Sequence, residues 1–453
     1  MKKVLFLFVF VLTAFASHAQ FVMQSTGFPQ ASVGISYICA VDQNVLWADG
    51  YDGTSSTAPK MQVFTRTNDG GATWTAGSIP GYTTYGVSMI NAVDYNTAWV
   101  PLFGASGGGV ILKTTDGGTT WTEQPTAAFT APDGFPNIIH FWNASEGVTM
   151  GDPNGGYFEI YTTTDGGDNW IRVPQANIPA NLSGEYGTTG YYSVIENTMW
   201  YGTNKGRVYK SIDKGLNWTV STVTSSWSAT RVNTNFLDAN HGVAQHRGTN
   251  SGGAATGDKY ETLDGGSTWT LMTQTGPLYT ASFAWVPGLP NTMVAAGSAD
   301  GASGIAYSPD GGYTWTDFDT TAGYQFLFTV WTDNTHGWSG SFTDQTDPAN
   351  VGGMWKYDQV LTDILNIDPK QGGVKIYPNP SNGNFTCAII GFESKDVNIN
   401  IYNAVGQRVY ANTVNQSLIS YNQYIDLSSL GSGLYIAQIQ SGNKVITEKI
   451  TIR

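Results

Sequence analysis

The octapeptide Thr114-Thr-Asp-Gly-Gly-Thr-Thr-Trp121 decides how this chain folds, because near-copies of it occur six times. The copies share the pattern Ser/Thr-x-Asp-x-Gly-x-x-Trp, and successive copies begin 46 to 51 residues apart. Their first residues are Thr67, Thr114, Thr163, Ser211, Thr262 and Ser308. Self-similarity at such a period predicts a repeat architecture in which each unit buries its apolar face against its neighbours.

The octapeptide has the chemistry of a tight turn between two strands. Its carboxylate accepts backbone N–H bonds of its own turn, and its glycines adopt positive φ without a steric penalty. The tryptophan ring then folds over the turn. We therefore interpret these aspartates and tryptophans as structural residues, rather than as six metal or catalytic sites. They are Asp69, Asp116, Asp165, Asp213, Asp264 and Asp310, with Trp74, Trp121, Trp170, Trp218, Trp269 and Trp315.

The octapeptide resembles the Asp-box, also called the bacterial neuraminidase repeat. This repeat occurs in sialidases, sortilin-type receptors, xyloglucan-cleaving hydrolases and photosystem-assembly-factor-like proteins. The resemblance implies that each copy is a structural hairpin between the third and fourth strands of a propeller blade. A single ring with regular boxes is most similar to the photosystem-assembly-factor-like and sortilin-like members, which bind proteins or peptides.

The sequence around each octapeptide alternates apolar strands with Gly, Asn, Asp and Pro every 8 to 12 residues. This rhythm predicts strands and turns rather than helices. A seventh repeat unit runs from Trp331 to Tyr357; it has the second and third strands of the pattern but lacks the octapeptide. Units of about 47 residues suit a four-stranded blade, so we expect an all-β, seven-bladed β-propeller over residues 20–361. Residues near 21–36 are expected to supply the missing outer strand of the last blade.

Composition and charge limit the classes of partner that this chain is expected to bind. The chain has 55 glycines, 13% aromatic and 12% charged residues, as expected for a turn-rich β protein. Its net charge of −13 argues against nucleic acid and anionic membranes as partners. The sequence has no phosphate-binding loop and implies no cofactor. The two cysteines, Cys39 and Cys387, are expected to be buried thiols rather than a bridge.

The amino terminus has the pattern of a secretory signal peptide. A positive start at Lys2 and Lys3, an apolar stretch over residues 4–15 and a small-x-small site at Ser17–Ala19 predict removal of residues 1–19. No other stretch of the sequence approaches the length of a membrane span. We therefore expect a secreted or surface protein without a transmembrane segment.

After a linker over residues 362–373, the residue pattern of the sequence changes. Period-two alternation over residues 374–453 predicts a small antiparallel β-sandwich. Tyr377-Pro-Asn-Pro380, Ile401-Tyr-Asn-Ala-Val-Gly-Gln407 and Leu430-Gly-Ser-Gly-Leu-Tyr435 resemble the type A C-terminal sorting domain of the type IX secretion system of Bacteroidetes. This resemblance implies that residues 374–453 engage the secretion machinery and that the chain reaches the outer surface or the medium.

Function is expected on the propeller face opposite the octapeptides. There the loops between second and third strands are longer, and they carry aromatic and polar residues of the kind that bind a glycan or a polypeptide. The candidate ligand-binding residues are Tyr51, Asp52, Asp152, Glu185, Tyr186, Arg207, His246 and Arg247. No metal site is predicted, since the acidic loop at residues 344–350 matches no full calcium-loop pattern.

Two enzyme classes are alternatives to this binding function, and the sequence argues against the first. A sialidase needs three arginines around the substrate carboxylate, and no arginine precedes Arg66 after the signal peptide. A glycoside hydrolase with paired carboxylates, drawn from Asp152, Glu185, Asp300 and Asp344, is the alternative to a binding protein.

Overall fold

The computed structural model is all-β, with one short 3-10 helix at Gln175–Asn177 among the described residues. The structure describes residues 21–54, 61–227, 231–247, 257–289, 291–299, 302–318, 324–343, 352–361, 373–377, 379–381, 383–390, 396–415, 420–442 and 444–453. The expected signal peptide, nearly all of the expected linker, Asp300 and the loop at residues 344–350 lie outside these ranges.

Within the described residues, the first 29 strands form six antiparallel sheets, one of eight strands, one of five and four of four. The eight-stranded sheet is described below as a first unit and a seventh unit, which are joined where Gly34 of β2 pairs with Phe342 of β28. After β1 Phe21–Ser25, the first unit contains β2 Val33–Ala40, β3 Leu46–Asp52, β4 Val63–Thr67 and β5 Thr75–Ser78; the second contains the split inner strand β6 Tyr85–Val87 and β7 Asn91–Ala92, then β8 Ala98–Gly104, β9 Gly109–Thr114 and β10 Thr122–Glu123. The third unit contains β11 Pro136–Phe141, β12 Gly147–Pro153, β13 Phe158–Thr163 and β14 Ile171–Arg172; the fourth contains β15 Gly187–Ile195, β16 Thr198–Thr203, β17 Arg207–Ser211 and β18 Thr219–Thr222. The fifth unit contains β19 Val232–Phe236, β20 Gly242–His246, β21 Lys259–Thr262 and β22 Thr270–Leu271; the sixth contains β23 Ser282–Trp285, β24 Met293–Ala299, β25 Ala302–Ser308 and β26 Thr316–Asp317; the seventh contains β27 Phe328–Asp333, β28 His336–Thr343 and β29 Gly352–Tyr357.

The first strand closes the ring. β1 pairs antiparallel with β29, from Phe21 opposite Tyr357 to Ser25 opposite Gly353, and so becomes the outer strand of the seventh unit. Phe21 is buried and packs edge-on against Phe318 and Tyr357, each with ring centroids 5.2 Å away. The expectation that the amino-terminal segment completes the last unit is therefore confirmed for Phe21–Ser25.

Neighbouring units are joined by a recurring contact between tryptophan, a cation and the next octapeptide. In the second unit, Trp99 of β8 stacks on Phe141 of the third unit at 3.5 Å, and its Nε1 donates to the carbonyl of Gly166 at 3.1 Å. Lys113, opposite Trp99 across β8 and β9, places its Nζ 5.6 Å from the indole centroid. The same cross-strand pair recurs as Trp47 with Arg66, Trp200 with Lys210 and Trp338 with Lys356.

The residue after the octapeptide aspartate is glycine in five of the six copies, and these cations explain four of them, Gly70, Gly117, Gly166 and Gly265. A Cβ atom on Gly117 would lie 2.3 Å from Arg66 Nη2, and one on Gly166 would lie 2.9 Å from Lys113 Nζ. Both glycines also have positive φ, of 74° and 76°. A side chain at this position would therefore be strained and would displace the cation of the preceding unit.

The fourth octapeptide departs from this rule and supplies its own cation. The third unit has Val148 opposite Thr162 where its neighbours have tryptophan and a basic residue. Lys214 occupies the glycine position with φ of 58°, and its Nζ reaches back to Glu146 Oε2 of the third unit at 2.8 Å. The inter-unit contact is thus retained with the charge contributed from the opposite side.

The carboxy-terminal strands form two facing sheets with a core of their own. One sheet contains β30 Gly373–Tyr377, β31 Asn384–Ile390 and β34 Ser420–Asp426; the other contains β32 Asp396–Asn403, β33 Arg408–Asn415, β35 Gly433–Ser441 and β36 Lys444–Ile452. Their buried core includes Phe385, Cys387, Ile399 and Ile439. The predicted fold class, an all-β propeller followed by a small antiparallel sandwich, is confirmed. Cys39 and Cys387 are free and buried, as expected.

A buried carboxyl group lies in the wall of the ring. Asp49 of β3 is 1% exposed; Ser36 donates a hydrogen bond to its Oδ2, while Oδ1 has no partner among the described residues. Burial raises the pKa of Asp49 to about 7. The folded state therefore binds a proton that the unfolded chain releases near pH 4, so this group makes the fold less stable as pH rises from about 4 to 7.

We expect Asp49→Asn to remove this penalty while keeping an acceptor for Ser36. Relative to the unaltered chain, the variant should gain little stability at pH 5 and gain more at pH 8, with an upper limit of about 4 kcal/mol. Denaturant unfolding at the two pH values measures the difference. An equal effect at pH 5 and pH 8 would contradict the assigned titration.

Candidate functional site

The strand order gives the ring two chemically different faces. The octapeptide turns join third to fourth strands, as between β4 and β5, and the short turns between first and second strands lie on the same face. The connections between second and third strands and between units lie on the other, which we call the loop-rich face.

On the octapeptide face, the polar groups are used within their own turns. Asp264 accepts hydrogen bonds from the backbone N–H of Ser267 and Thr268, both at 2.9 Å, and from the hydroxyls of Thr262 and Thr268. The N–H of Gly266 donates to the Thr262 hydroxyl at 2.8 Å. Equivalent bonds recur in all six octapeptides, so these carboxylates have few lone pairs left for a ligand.

On the loop-rich face, two arginines meet at the mouth of the central channel. The backbone N–H of Arg247 donates to the carbonyl of Arg231 at 2.9 Å, since the two residues flank the hairpin of β19 and β20. The Arg247 guanidinium lies 4.2 Å from the Tyr191 ring centroid, and its Nε donates to the Ala281 carbonyl at 2.6 Å. Tyr51 reaches this group from the first unit: burial raises its pKa to about 12, and the charge of Arg247 opposes that rise. We call Tyr51, Tyr191, Arg231 and Arg247 the arginine mouth.

The two guanidinium groups lack a compensating carboxylate in the described part of the chain. Neither arginine has an acidic oxygen within 4.0 Å there. Burial lowers the pKa of Arg231, and the neighbouring positive charge of Arg247 lowers it further. Two like charges held together and partly removed from water are electrostatically unfavourable. An anionic group placed between them would relieve this repulsion and accept charge-assisted hydrogen bonds.

A partly buried carboxyl group lies on the same face at the boundary of the third and fourth units. Asp152 Oδ1 accepts from Asn137 Nδ2 at 2.6 Å and from the N–H of Gly187 at 3.0 Å. Asn137 in turn accepts from the Thr189 hydroxyl at 2.8 Å. Burial raises the pKa of Asp152 to about 6, because no cation within the described residues offsets its desolvation. Its second oxygen has no hydrogen bond to a described residue.

Glu185 and Arg207, both candidates from the sequence, are bonded to each other. Arg207 Nε donates to Glu185 Oε1 at 2.9 Å, and its Nη2 pairs with Oε2 of the same carboxylate. Thr203 and the N–H of Leu182 donate to the remaining lone pairs of Glu185 at 2.6 and 2.8 Å. Both residues are buried. The pair holds the connection into β15 in place and presents Tyr186, which is 41% exposed, on the surface.

Two other candidates also face inward or toward their own loop. Asp52 Oδ1 accepts from both the N–H and the hydroxyl of Thr54, at 2.9 and 2.6 Å. His246 is 9% exposed, packs at 5.4 Å from Trp227, and burial lowers its pKa. The structure thus brings Tyr51, Tyr186, Asp152 and Arg247 to the loop-rich surface and leaves His246 in the wall.

The channel below the arginine mouth contains a cavity of about 420 Å³. Its lining comes from inner strands and carries aromatic rings and uncharged polar groups, including Tyr37, Tyr191, Asn233 and Phe328. The described residues contain no group of three or more His, Cys, Asp or Glu side chains suited to a metal ion. Asp300 and the loop at residues 344–350, weighed from the sequence as carboxylate or calcium candidates, lie outside the described residues.

Arg231 and Tyr191 were not among the candidates derived from the sequence. The strand register could have indicated Arg231, since an antiparallel hairpin of residues 232–236 and 242–246 places residue 231 opposite residue 247. The partnership of Arg247 with Tyr191 joins different units, and no local pattern indicates it.

Comparison with known proteins identifies the tail and the fold. Residues 375–453 match the family model described as Secretion system C-terminal sorting domain. The tail is a secretion system sorting domain. It indicates export of the chain to the cell surface or the extracellular space. The described residues contain no helix long and apolar enough to cross a membrane.

The propeller part is similar in fold to solved structures. YCF48 from Cyanidioschyzon merolae matches with a TM-score of 0.52 and 18% identity over 75% of this chain and 99% of that one. "YCF48 bound to D1 peptide" matches with a TM-score of 0.50 and 17% identity over 76% and 98% of the two chains. A GH74 enzyme of Niastella koreensis matches at 0.50 and 14% identity over 96% and 74%. No curated protein matches the chain by sequence. At these identities the likeness establishes the fold alone.

We expect Asp264→Ala to lower the free energy of unfolding by about 1 kcal/mol or somewhat more, because it removes the acceptor of several turn hydrogen bonds. Asp264→Asn keeps one acceptor oxygen and should cost less. Denaturant unfolding of both variants measures this. Equal stability of the alanine variant and the unaltered chain would show that the carboxylate does not hold the turn.

Deletion of residues 374–453 should block delivery to the cell surface while the propeller still folds, because the sandwich core is drawn from the tail itself. Cell fractionation locates the truncated chain, and circular dichroism with thermal unfolding checks its fold. Normal appearance of the truncated chain at the surface would contradict the sorting role.

Proposed function

We propose that this chain is an exported cell-surface or extracellular binding protein whose ligand, a glycan or a polypeptide, occupies the loop-rich face. In this proposal residues 20–361 form a seven-bladed propeller of the Asp-box type, residues 362–373 a linker, and residues 374–453 a type IX sorting domain that engages the secretion machinery. Residues 1–19 are a signal peptide that is removed during export.

The observation that carries the proposal is the arginine mouth. In a chain of net charge −13, Arg231 and Arg247 occupy facing positions of one hairpin, joined by a backbone hydrogen bond of 2.9 Å, and neither has a carboxylate partner in the described residues. Repulsion between them disfavours the empty state, and a ligand anion converts that repulsion into attraction. Exposed tyrosines beside it, Tyr51 and Tyr186, offer apolar faces with hydroxyl groups for a ligand to contact.

The octapeptide face is the weaker candidate for a ligand surface. Its six aspartates are engaged by their own turns, and the first glycine of four octapeptides is packed against a cation of the preceding unit. Among proteins of similar fold, one structure is described as YCF48 bound to a D1 peptide. That description is compatible with a propeller of this kind serving as a binding platform.

A glycoside hydrolase remains the second candidate, because Asp152 has one oxygen free of described partners and a pKa raised to about 6, a property of a general acid. The reaction needs a second carboxylate on the opposite side of the scissile bond. Glu185 is engaged by Arg207, and the remaining candidates, Asp300 and Asp344, lie outside the described residues. Release of reducing ends from polysaccharides by the full chain, lost in Asp152→Asn, would establish the enzyme instead.

Arg247→Gln should weaken binding of the ligand at least tenfold and leave the melting temperature nearly unchanged, because the residue contributes charge at the surface rather than core volume. Lys205→Gln removes one positive charge from a neighbouring loop of the same face and serves as the matched control. A glycan array and a peptide array, each probed with the full chain and both variants, provide the measurement. Binding that survives Arg247→Gln but is lost in Asp264→Ala at unchanged stability would place the ligand on the octapeptide face and overturn the proposal.

A further inference from the structure

The loop-rich face carries charges of both signs, and they are kept apart. The arginine mouth is built on the fifth unit and Asp152 on the third, with the fourth unit between them. In the described residues, neither the two arginines nor Asp152 have an ion-pair partner. The close ion pairs of the described propeller join other residues, as in Glu185 with Arg207 or Glu146 with Lys214.

One three-residue segment links the two charged groups. The N–H of Gly187 donates to Asp152 Oδ1 at 3.0 Å. The following residue, Thr188, accepts a hydrogen bond at 3.3 Å from the N–H of Val232, which directly follows Arg231 in the chain. The N–H of the preceding residue, Tyr186, is fixed by Asn204 Oδ1 at 2.8 Å, so the segment is held by bonds at all three residues. The acid and the arginines therefore lie on either side of a rigid, tyrosine-bearing ridge.

We propose that this face takes a polypeptide, with a carboxylate of the ligand held between Arg231 and Arg247 and a cationic group of the same ligand held by Asp152. This inference rests on the proposed function, and it selects the ligand class that the proposed function leaves open. A polypeptide regularly carries a carboxylate and an ammonium or guanidinium group a few residues apart, whereas a polyuronate glycan carries carboxylates without a neighbouring cation. An acidic glycan would satisfy the arginines and would leave Asp152 repelling it.

Tyr186 suits the middle of such a ligand. It is 41% exposed on the ridge between the charges, where its ring can contact the aliphatic part of a peptide and its hydroxyl can bond to a peptide group. Ligand specificity would then come from the spacing of the two charges, because each is fixed to a different unit of a rigid ring.

The test uses the full chain and a panel of N-acetylated, C-amidated Gly/Ser peptides. Each peptide carries one aspartate and one lysine, separated by one to four residues, and companion peptides carry only the aspartate or only the lysine. Oligogalacturonate and a neutral xyloglucan oligosaccharide represent acidic and neutral glycans. Isothermal titration calorimetry measures each affinity, and thermal unfolding confirms that every variant is folded.

We expect at least one doubly charged peptide to bind at least fivefold more tightly than both of its singly charged companions. Asp152→Asn, which keeps the acceptor for Gly187, should abolish the contribution of the lysine and leave that of the aspartate. Arg231→Gln and Arg247→Gln should each abolish the contribution of the aspartate. Asp133→Asn is the control for Asp152→Asn, because it removes a carboxylate from an exposed loop just before β11 of the third unit. It should change neither the contribution of the lysine nor that of the aspartate.

Three outcomes overturn the inference. Oligogalacturonate binding more tightly than every peptide, with loss in Arg247→Gln, would keep the arginine mouth as the site but assign it to an acidic glycan. Equal affinities of doubly and singly charged peptides would remove Asp152 from recognition. Absence of binding by peptides and glycans alike, in the folded chain, would remove both this inference and the proposed function.

Discussion

The architecture depends on one contact between neighbouring units: a tryptophan on a second strand, a cation opposite it on the third strand, and the octapeptide turn of the next unit above them. The indole buries a large apolar surface against the next inner strand, as Trp99 does on Phe141. Its N–H and the adjacent cation meet the backbone of the next turn, so a polar turn is anchored on an apolar wall. This contact accounts for two features of the octapeptide, because the aspartate shapes the turn and, in four copies, the glycine after it leaves room for the cation. Lys214 shows that the contact is retained when its residues change, since it supplies from the turn the charge that the third unit lacks.

The two faces of the propeller differ in whether the fold itself pairs their charged groups. On the octapeptide face, carboxylates and cations are neutralised by hydrogen bonds and rings that the fold itself requires. On the loop-rich face, Arg231, Arg247 and Asp152 are held in place by backbone contacts that leave their charges without a described partner.

The sequence predicted those parts of the structure that depend on local chemistry. Each octapeptide contains its own donors and acceptors, and for that reason the turns, the strand rhythm and the separate tail could be derived from residue patterns. The site was harder to predict because it depends on neighbours in space. Glu185 and Arg207 are chemically plausible ligand contacts in the sequence, yet they lie 22 residues apart and form an internal pair. Arg231 was missed although its hairpin register opposes Arg247, and the contact of Arg247 with Tyr191 arises only when the ring closes.

The closing strand sets a condition on how the chain acquires its structure. Phe21–Ser25 is the first strand to be synthesised among those described, and its partner Gly352–Tyr357 is the last of the propeller. Thr26, the residue after this strand, donates its hydroxyl to the Gly352 carbonyl across 326 residues of sequence, a loop-closure distance that slows folding relative to local pairing. Until β1 pairs with β29, both edges of the nascent ring are open and resemble the unpaired strands through which β proteins aggregate. The sorting tail follows the last propeller strand in the chain, so it becomes available only when the chain already contains every residue needed to close that edge.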